Sequence, residues 1–265
     1  MIILEDDIYR AHSALNFSSI KNILLSPKHY KASLAKKIDP SEDMLIGSVV
    51  HAKVLEGKDY PVAVMPEGMD GRTKEGKSWK AANADKETMS RDGYATCQRL
   101  IQSIQGNADV QYLLGKCTKR EIGIVQKYRG IEIKGKIDAA GQDESGNWFI
   151  VDLKTAKDAN PQVWAKEASS RFYFLQLIWY RTLLALELGL DYPPPFYWLV
   201  AEKTEASDVC IFSPPAEAVE IGQAQMDKAI DLYTECSTTG KWNGYGNGIL
   251  ELEISPWERK KWLKQ

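Results

Sequence analysis

The sequence predicts an α/β chain built on a central mixed β-sheet flanked by helices. Three observations carry that prediction. A helix-patterned stretch precedes three runs with strand character, a long apolar-periodic helix follows them, and another strand follows that helix. With 265 residues, 44% hydrophobic and 26% charged, the chain is long enough to bury a sizeable core. This composition excludes global disorder, a collagen-like rod or a coiled coil. One domain spanning 1–265 is expected, with a helical part at 1–42, a core at about 43–203, and a last helix and tail at 204–265.

Residues 17–36 read as a helix start capped by Ser18 or Ser19, a break at Ser26-Pro27, and a second short helix. In 43–56, Leu45, Val49, Ala52 and Leu55 recur at helical spacing. The prolines and glycines of 61–76 predict a loop, and 77–105 reads as one long polar helix weakened by Gly93. Strands are expected at 120–127 and 131–139, joined at Arg129-Gly130. A turn at Gly141–Gly146 leads to a third strand, Trp148–Lys154, whose WFIVDLK is apolar on both faces until the acid, as in a buried central strand. A long helix at 162–189, a rigid connector at Tyr192–Pro195, a strand at Phe196–Ala201 and a helix at 214–239 complete the order.

No apolar run approaches the ~20 residues of a membrane span, and MIILEDDIYR lacks the pattern of a secretory signal. Cys97, Cys117, Cys210 and Cys236 are scattered without a CxxC pair, which fits a reducing cytosol and gives no zinc or iron–sulfur framework. The net charge is −2, but it is unevenly spread. Residues 21–37 hold five lysines and no acid, and 116–136 hold seven basic residues against Glu121 and Glu132. Residues 202–235 hold eight acids against two lysines. Such segregation permits one face for phosphates despite the near-neutral average.

One constellation carries chemistry. Asp138 ends the second strand in GKIDA, and Asp152 and Lys154 stand two apart near the end of the third, so both project to one face. Asp138 comes from the antiparallel neighbour. Two carboxylates and an ammonium thus converge at a sheet end. Carboxylate oxygens suit Mg²⁺ or Mn²⁺, which can activate water and polarise a phosphoryl oxygen. A nearby lysine can orient that water and stabilise the growing negative charge. Three charges on an otherwise apolar strand would be costly without a function.

Asp138, fourteen intervening positions and Asp152-Leu153-Lys154 resemble the PD-(D/E)XK nuclease superfamily, with Asp152 where many members carry Glu. His51 in GSVVH lies before the strands, and Gln176 and Tyr180 in QLIWY lie after them. That order resembles the RecB-type branch. SPKHY, LIGSVVHAKVLEG, RTKEGK, GKIDA and VDLKTAKDA narrow the resemblance to RecE-like exonucleases (exonuclease VIII) of phages and prophages, over about residues 18–245.

The resemblance implies a restriction-endonuclease-like core and a Mg²⁺-dependent, ATP-independent exonuclease, with Mn²⁺ able to substitute. It would degrade the 5′ strand of linear double-stranded DNA and leave 3′ single-stranded tails. It implies Asp138, Asp152, His51 and the Leu153 carbonyl as metal ligands, and Lys154 as the catalytic lysine. Glu121 either adds a carboxylate to a second metal or its water, or pairs with Lys119 or Lys136. Gln176 would contact a base or phosphate, and Tyr180 would hold Lys154 or a phosphate unless it only packs its helix. Arg72, Thr73, Lys74 and Lys77 would meet the DNA backbone or a 5′-phosphate, and Lys28 and His29 would line the DNA entrance. Trp242 and Tyr245 would stack on a ligand or cap the core. A homo-oligomeric ring, a RecT-like single-strand annealing partner and a bacterial cytoplasmic location are further expectations of the resemblance. The competing readings are another nuclease of the superfamily, endonucleolytic or single-strand-specific, and a non-catalytic DNA-end-binding protein.

Overall fold

The computed structural model describes residues 4–36, 39–246 and 248–263. Lys37 of the basic run and Lys264 and Gln265 of the tail lie outside them. The chain opens with α1 (Asp6–Ala11), a short strand β1 (Leu15–Asn16), α2 (Phe17–Ile20), α3 (Pro27–Ala35) and α4 (Glu42–Glu56). A small unit follows: β2 (Val62–Val64), α5 (Lys74–Ala82) and β3 (Glu87–Met89). Then come α6 (Arg91–Gly106), α7 (Ala108–Gly115), and the meander β4 (Lys119–Tyr128), β5 (Ile131–Gln142) and β6 (Trp148–Ala156). α8 (Pro161–Ser170) and α9 (Tyr173–Leu188) cross over to β7 (Phe196–Glu202), which is followed by β8 (Val209–Phe212), α10 (Ala216–Thr239) and α11 (Pro256–Trp262).

The central sheet is mixed, as expected. β4/β5, β5/β6 and β7/β8 are antiparallel, and β6/β7 and β1/β5 are parallel. The helical crossover through α8 and α9 is what a parallel β6/β7 pair requires. Two apolar cores cover the two faces. One gathers Ile133, Ile137 and Ile150 with Trp179, Leu183, Met226 and Ile230 of α9 and α10. The other gathers Val151, Leu153 and Leu199 with Val49, Val50, Leu100 and Ile104 of α4 and α6. No helix of the described residues is long and apolar enough to cross a membrane.

Local chemistry corrects several expectations. The first turn is capped by Asn16, whose Oδ1 accepts from Ser19 N at 2.9 Å, in place of Ser18 or Ser19. The loop of 61–76 contains β2. The long polar helix of 77–105 is two helices, because α5 stops at Ala82 and Ser90 caps a new one by accepting from Gly93 N at 2.9 Å. Gly93 therefore sits in a first turn, where a Cβ would lie 2.7 Å from Glu42 Oε1. The helix of 162–189 breaks at Phe172, whose φ of 61° turns the chain through the left-handed region. β5 runs through Gly141, and the turn that follows is tied by the Asp143 carboxylate to the backbone N–H groups of Ser145 and Asn147. β1, β3, β8, α7 and α11 are elements that the sequence pattern did not predict.

The sheet also contains a fork. β4 follows β5 along one edge from Lys119↔Ala140 to Tyr128↔Ile131. On the other edge β6 pairs only from Ala139↔Val151 to Gln142↔Trp148, and β1 only at Ile133 and Lys134. Residues 135–138 of β5 lie in the gap between these two partners.

Candidate active site

Asp138 and Asp152 sit where β5 and β6 part. The divergence frees the Leu153 N–H from the ladder, and Asp138 Oδ2 accepts it at 2.8 Å. This bond holds the carboxylate across the fork. α4 packs behind β6 and brings His51 to the same point. His51 Nε2 donates to the Leu153 carbonyl at 2.7 Å, and Nδ1 lies 3.7 Å from Asp138 Oδ2. With Nε2 as donor, Nδ1 is left with its lone pair toward the carboxylate. Burial, and after it Lys154, hold the imidazole pKa below its ordinary value, so the ring is neutral near pH 7. The Leu153 carbonyl, expected as a metal contact, here anchors the imidazole, as backbone carbonyls do for metal-binding histidines.

Glu121 completes a trio. One ligand atom each from His51, Glu121 and Asp138 lie within 4.8 Å of one another. Glu121 stands between the pairs Arg120↔Ala139 and Ile122↔Ile137, hence opposite Asp138, and its φ is 52°. A non-glycine residue held there costs on the order of 1 kcal/mol or more, and such strain clusters at functional sites. Its Oε2 lies 2.8 Å from Lys136 Nζ. Of the two roles expected for Glu121, the structure shows the Lys136 pairing, and it also places the carboxylate in a group with His51 and Asp138 that could hold a cation.

Asp152 lies beside the trio and is wholly buried. Lys154 Nζ is 2.5 Å from its Oδ2, yet neither carboxylate oxygen has a hydrogen bond of good geometry among the described residues. Burial pushes Asp138 and Asp152 up to about 6, against the pull of Lys154. Burial opposes the Lys154 charge, but Asp152 and Asp138 together hold its pKa above the ordinary value. The ring beside Lys154 is that of Tyr173, 5.0 Å from Nζ.

These donors fit a hard divalent cation. A neutral imidazole and two partly open carboxylates form an O-rich set with one nitrogen, and the buried Asp152 carboxylate with its unsatisfied oxygens lies beside it. Carboxylates held up to about 6 by burial are relieved when a cation replaces their protons.

Gln176 and Tyr180 are buried one turn apart on α9. The Gln176 Oε1 has no partner among the described residues. Tyr180 lines a cavity of about 280 Å³ with Tyr9, Asn16, Lys134 and Gly135. Burial, then Asp152 and Asp138, raise its pKa well above the ordinary value, so the phenol keeps its proton. A larger cavity of about 700 Å³, between α4 and α6, holds none of these residues.

The predicted DNA contacts are placed less centrally. Arg72 is fully exposed and forked onto Asp70, with Nη2–Oδ2 at 2.7 Å. Thr73 caps α5 by accepting from Gly76 N, and Lys74 and Lys77 are exposed in its first turn. Ser26 caps α3 and also bonds His29 Nδ1 at 2.7 Å, and Lys28 N donates to Asn243 O. Tyr245 lies against His29, and Trp242 stacks on Tyr30 as a cap on the core. Two cations nearer the site, Lys21 and Arg171, were not singled out from sequence. Burial, then the charges of Arg171 and Lys154, lower the pKa of Lys21. Lys157 and Arg171 both act on Asp43. Lys21 was legible only as part of a basic run, and Arg171 is placed by the reversal at Phe172.

The family described as "PDDEXK-like domain of unknown function (DUF3799)" matches residues 16–252. No curated protein matches the sequence. A crystal structure of a "Putative exonuclease" from Eubacterium rectale is 14% identical and superposes with a TM-score of 0.61 over 99% of each chain. That likeness shows a shared fold. The structure of SSO0001 is 13% identical over 71% of this chain and 86% of that one, with a TM-score of 0.30, and carries no argument.

Proposed function

Because the chain belongs to the PDDEXK-like domain family DUF3799, we propose that it is a divalent-metal-dependent DNA nuclease. More narrowly, we propose an ATP-independent exonuclease that degrades the 5′ strand of linear duplex DNA and leaves 3′ tails. The observation that carries the reading is the fork between β5 and β6. There His51, Glu121 and Asp138 converge beside the buried Asp152–Lys154 pair. The description of the Eubacterium rectale protein as an exonuclease accords with it. The 5′ polarity, a ring-shaped assembly and transfer of the tail to a RecT-like annealing protein in a bacterial cytoplasm rest on the RecE-like motifs.

Mg²⁺, or Mn²⁺ in its place, held by His51, Glu121, Asp138 and Asp152, would polarise the scissile phosphate and lower the pKa of the attacking water. Asp152 fixes the Lys154 ammonium from one side and the Tyr173 ring bounds it on another. Its raised pKa keeps it charged at working pH. A fixed ammonium stabilises negative charge developing on the phosphate oxygens, and it can orient water through its N–H groups. Lys21 and Arg171 extend that positive field along the backbone. Gln176 offers a buried, unengaged Oε1 as an acceptor near the phenol of Tyr180.

The test uses linear duplexes labelled at either the 5′ or the 3′ end, and a closed circle, each with Mg²⁺. The reading expects early release of the 5′ label, late release of the 3′ label and an intact circle. Cutting of the circle would make the protein an endonuclease. Binding of ends without cleavage would make it an end-binding protein.

A further inference from the structure

Lys136 joins the site to the first helix. Its Nζ lies 2.8 Å from Glu121 Oε2 and 3.0 Å from Asp6 Oδ1. Asp6 in turn accepts from Arg10 Nε at 2.6 Å. Lys136 is two positions from Asp138 on β5, and Glu121 is opposite Asp138 across the ladder. The same Glu121 carboxylate therefore serves two cation positions. One faces His51 and Asp138, and the other is already filled by the Lys136 ammonium.

Two facing carboxylates repel unless a cation lies between or beside them. Lys136 supplies that charge to Glu121 from the α1 side. A divalent ion on the His51 side must draw on the same carboxylate and sits near the ammonium. Even screened as in water, one positive charge about 6 Å from a divalent ion weakens its binding by about tenfold.

We propose that Lys136 is a positioning residue that holds Glu121 and competes with the divalent ion for it, setting how tightly the metal is held. Asp6 shares Lys136 and so moderates the competition. The inference rests on the metal-site reading above.

Calorimetric titration of the DNA-free protein with Mn²⁺ tests it. Lys136→Met is expected to tighten Mn²⁺ binding about tenfold. Lys136→Arg, which keeps the charge, is expected to stay within about threefold of the wild type. Asp6→Asn leaves Lys136 wholly to Glu121 and is expected to loosen binding several-fold. A merely structural role would loosen binding in Lys136→Met, so opposite signs for Lys136→Met and Asp6→Asn are the signature. Wild-type binding that Lys136→Met leaves unchanged or weakens overturns the role of Lys136 and leaves the metal site standing. If Lys136→Met does not fold, equal affinity in Asp6→Asn and wild type overturns it. Absence of Mn²⁺ binding in every form removes the metal site and this inference together.

Discussion

At Asp152 two carboxylate oxygens lie out of water with one ammonium beside them. Removing one member of such a pair strands the other, so the informative changes keep shape and alter charge. Lys154→Met is expected to lower kcat at least about a hundredfold while circular dichroism stays that of the wild type. Asp138 gives a test on stability. Its folded pKa of about 6 exceeds the ordinary carboxyl value of 3.8, so the native state keeps a proton that the unfolded chain has released in that window. The sign follows: this group stabilises the fold as pH falls through 6 toward 4, and destabilises it above 6. Asp138→Asn keeps an oxygen to accept the Leu153 N–H and removes the charge. With chelator at pH 7.5 it is expected to be more stable than the wild type, by up to about 3 kcal/mol, and the gap should shrink toward pH 5. Mg²⁺ should raise the wild-type melting temperature and leave the variant unchanged. The same proton competition predicts that Mg²⁺ affinity falls below about pH 6.

Next to the fork α9 packs on β4 and β5, and α10 packs on α9. A Cβ on Gly222 of α10 would lie 2.1 Å from the Phe174 carbonyl oxygen, a backbone atom that cannot step aside. Gly222→Ala is expected to cost about 3 kcal/mol in urea unfolding. On Gly135 of β5 a Cβ would meet the Leu183 Cδ1 at 2.6 Å and the Tyr180 ring at 3.0 Å. Gly135→Ala is therefore expected to cost less stability, about 1–2 kcal/mol, and to slow cleavage by moving Tyr180. The meander β4–β5–β6 was legible because Ile131, Ile133 and Ile137 alternate with charged residues and WFIVDL is apolar up to its acid. The α8/α9 break was not, because nothing in the composition of RFYF marks Phe172 as the residue that turns left-handed. The break near Ala82 was hidden because 77–90 contains no Gly or Pro to mark it.

Across the whole molecule the net charge of −2 conceals a local field. Lys21, Lys154 and Arg171 lie near enough for the last two to lower the pKa of the first, and they come from the chain before β4, from β6 and from the α8/α9 junction. Affinity for duplex DNA measured with Ca²⁺ is expected to fall steeply with salt, and Lys21→Ala should reduce that slope by about one ion. Asp138, Asp152 and Lys154 could be found in sequence because they put charge into strand-patterned runs, and His51 because it closes GSVVH ahead of them. Lys21, Arg171 and Tyr173 could not, since their convergence depends on a crossover that periodicity does not encode. The most direct test of the central claim is hydrolysis of linear duplex DNA by the wild type and by Lys154→Met, each with Mg²⁺ and with EDTA. The account predicts digestion by the wild type with Mg²⁺ alone. Digestion in EDTA, or undiminished digestion by the Lys154→Met variant, would contradict it.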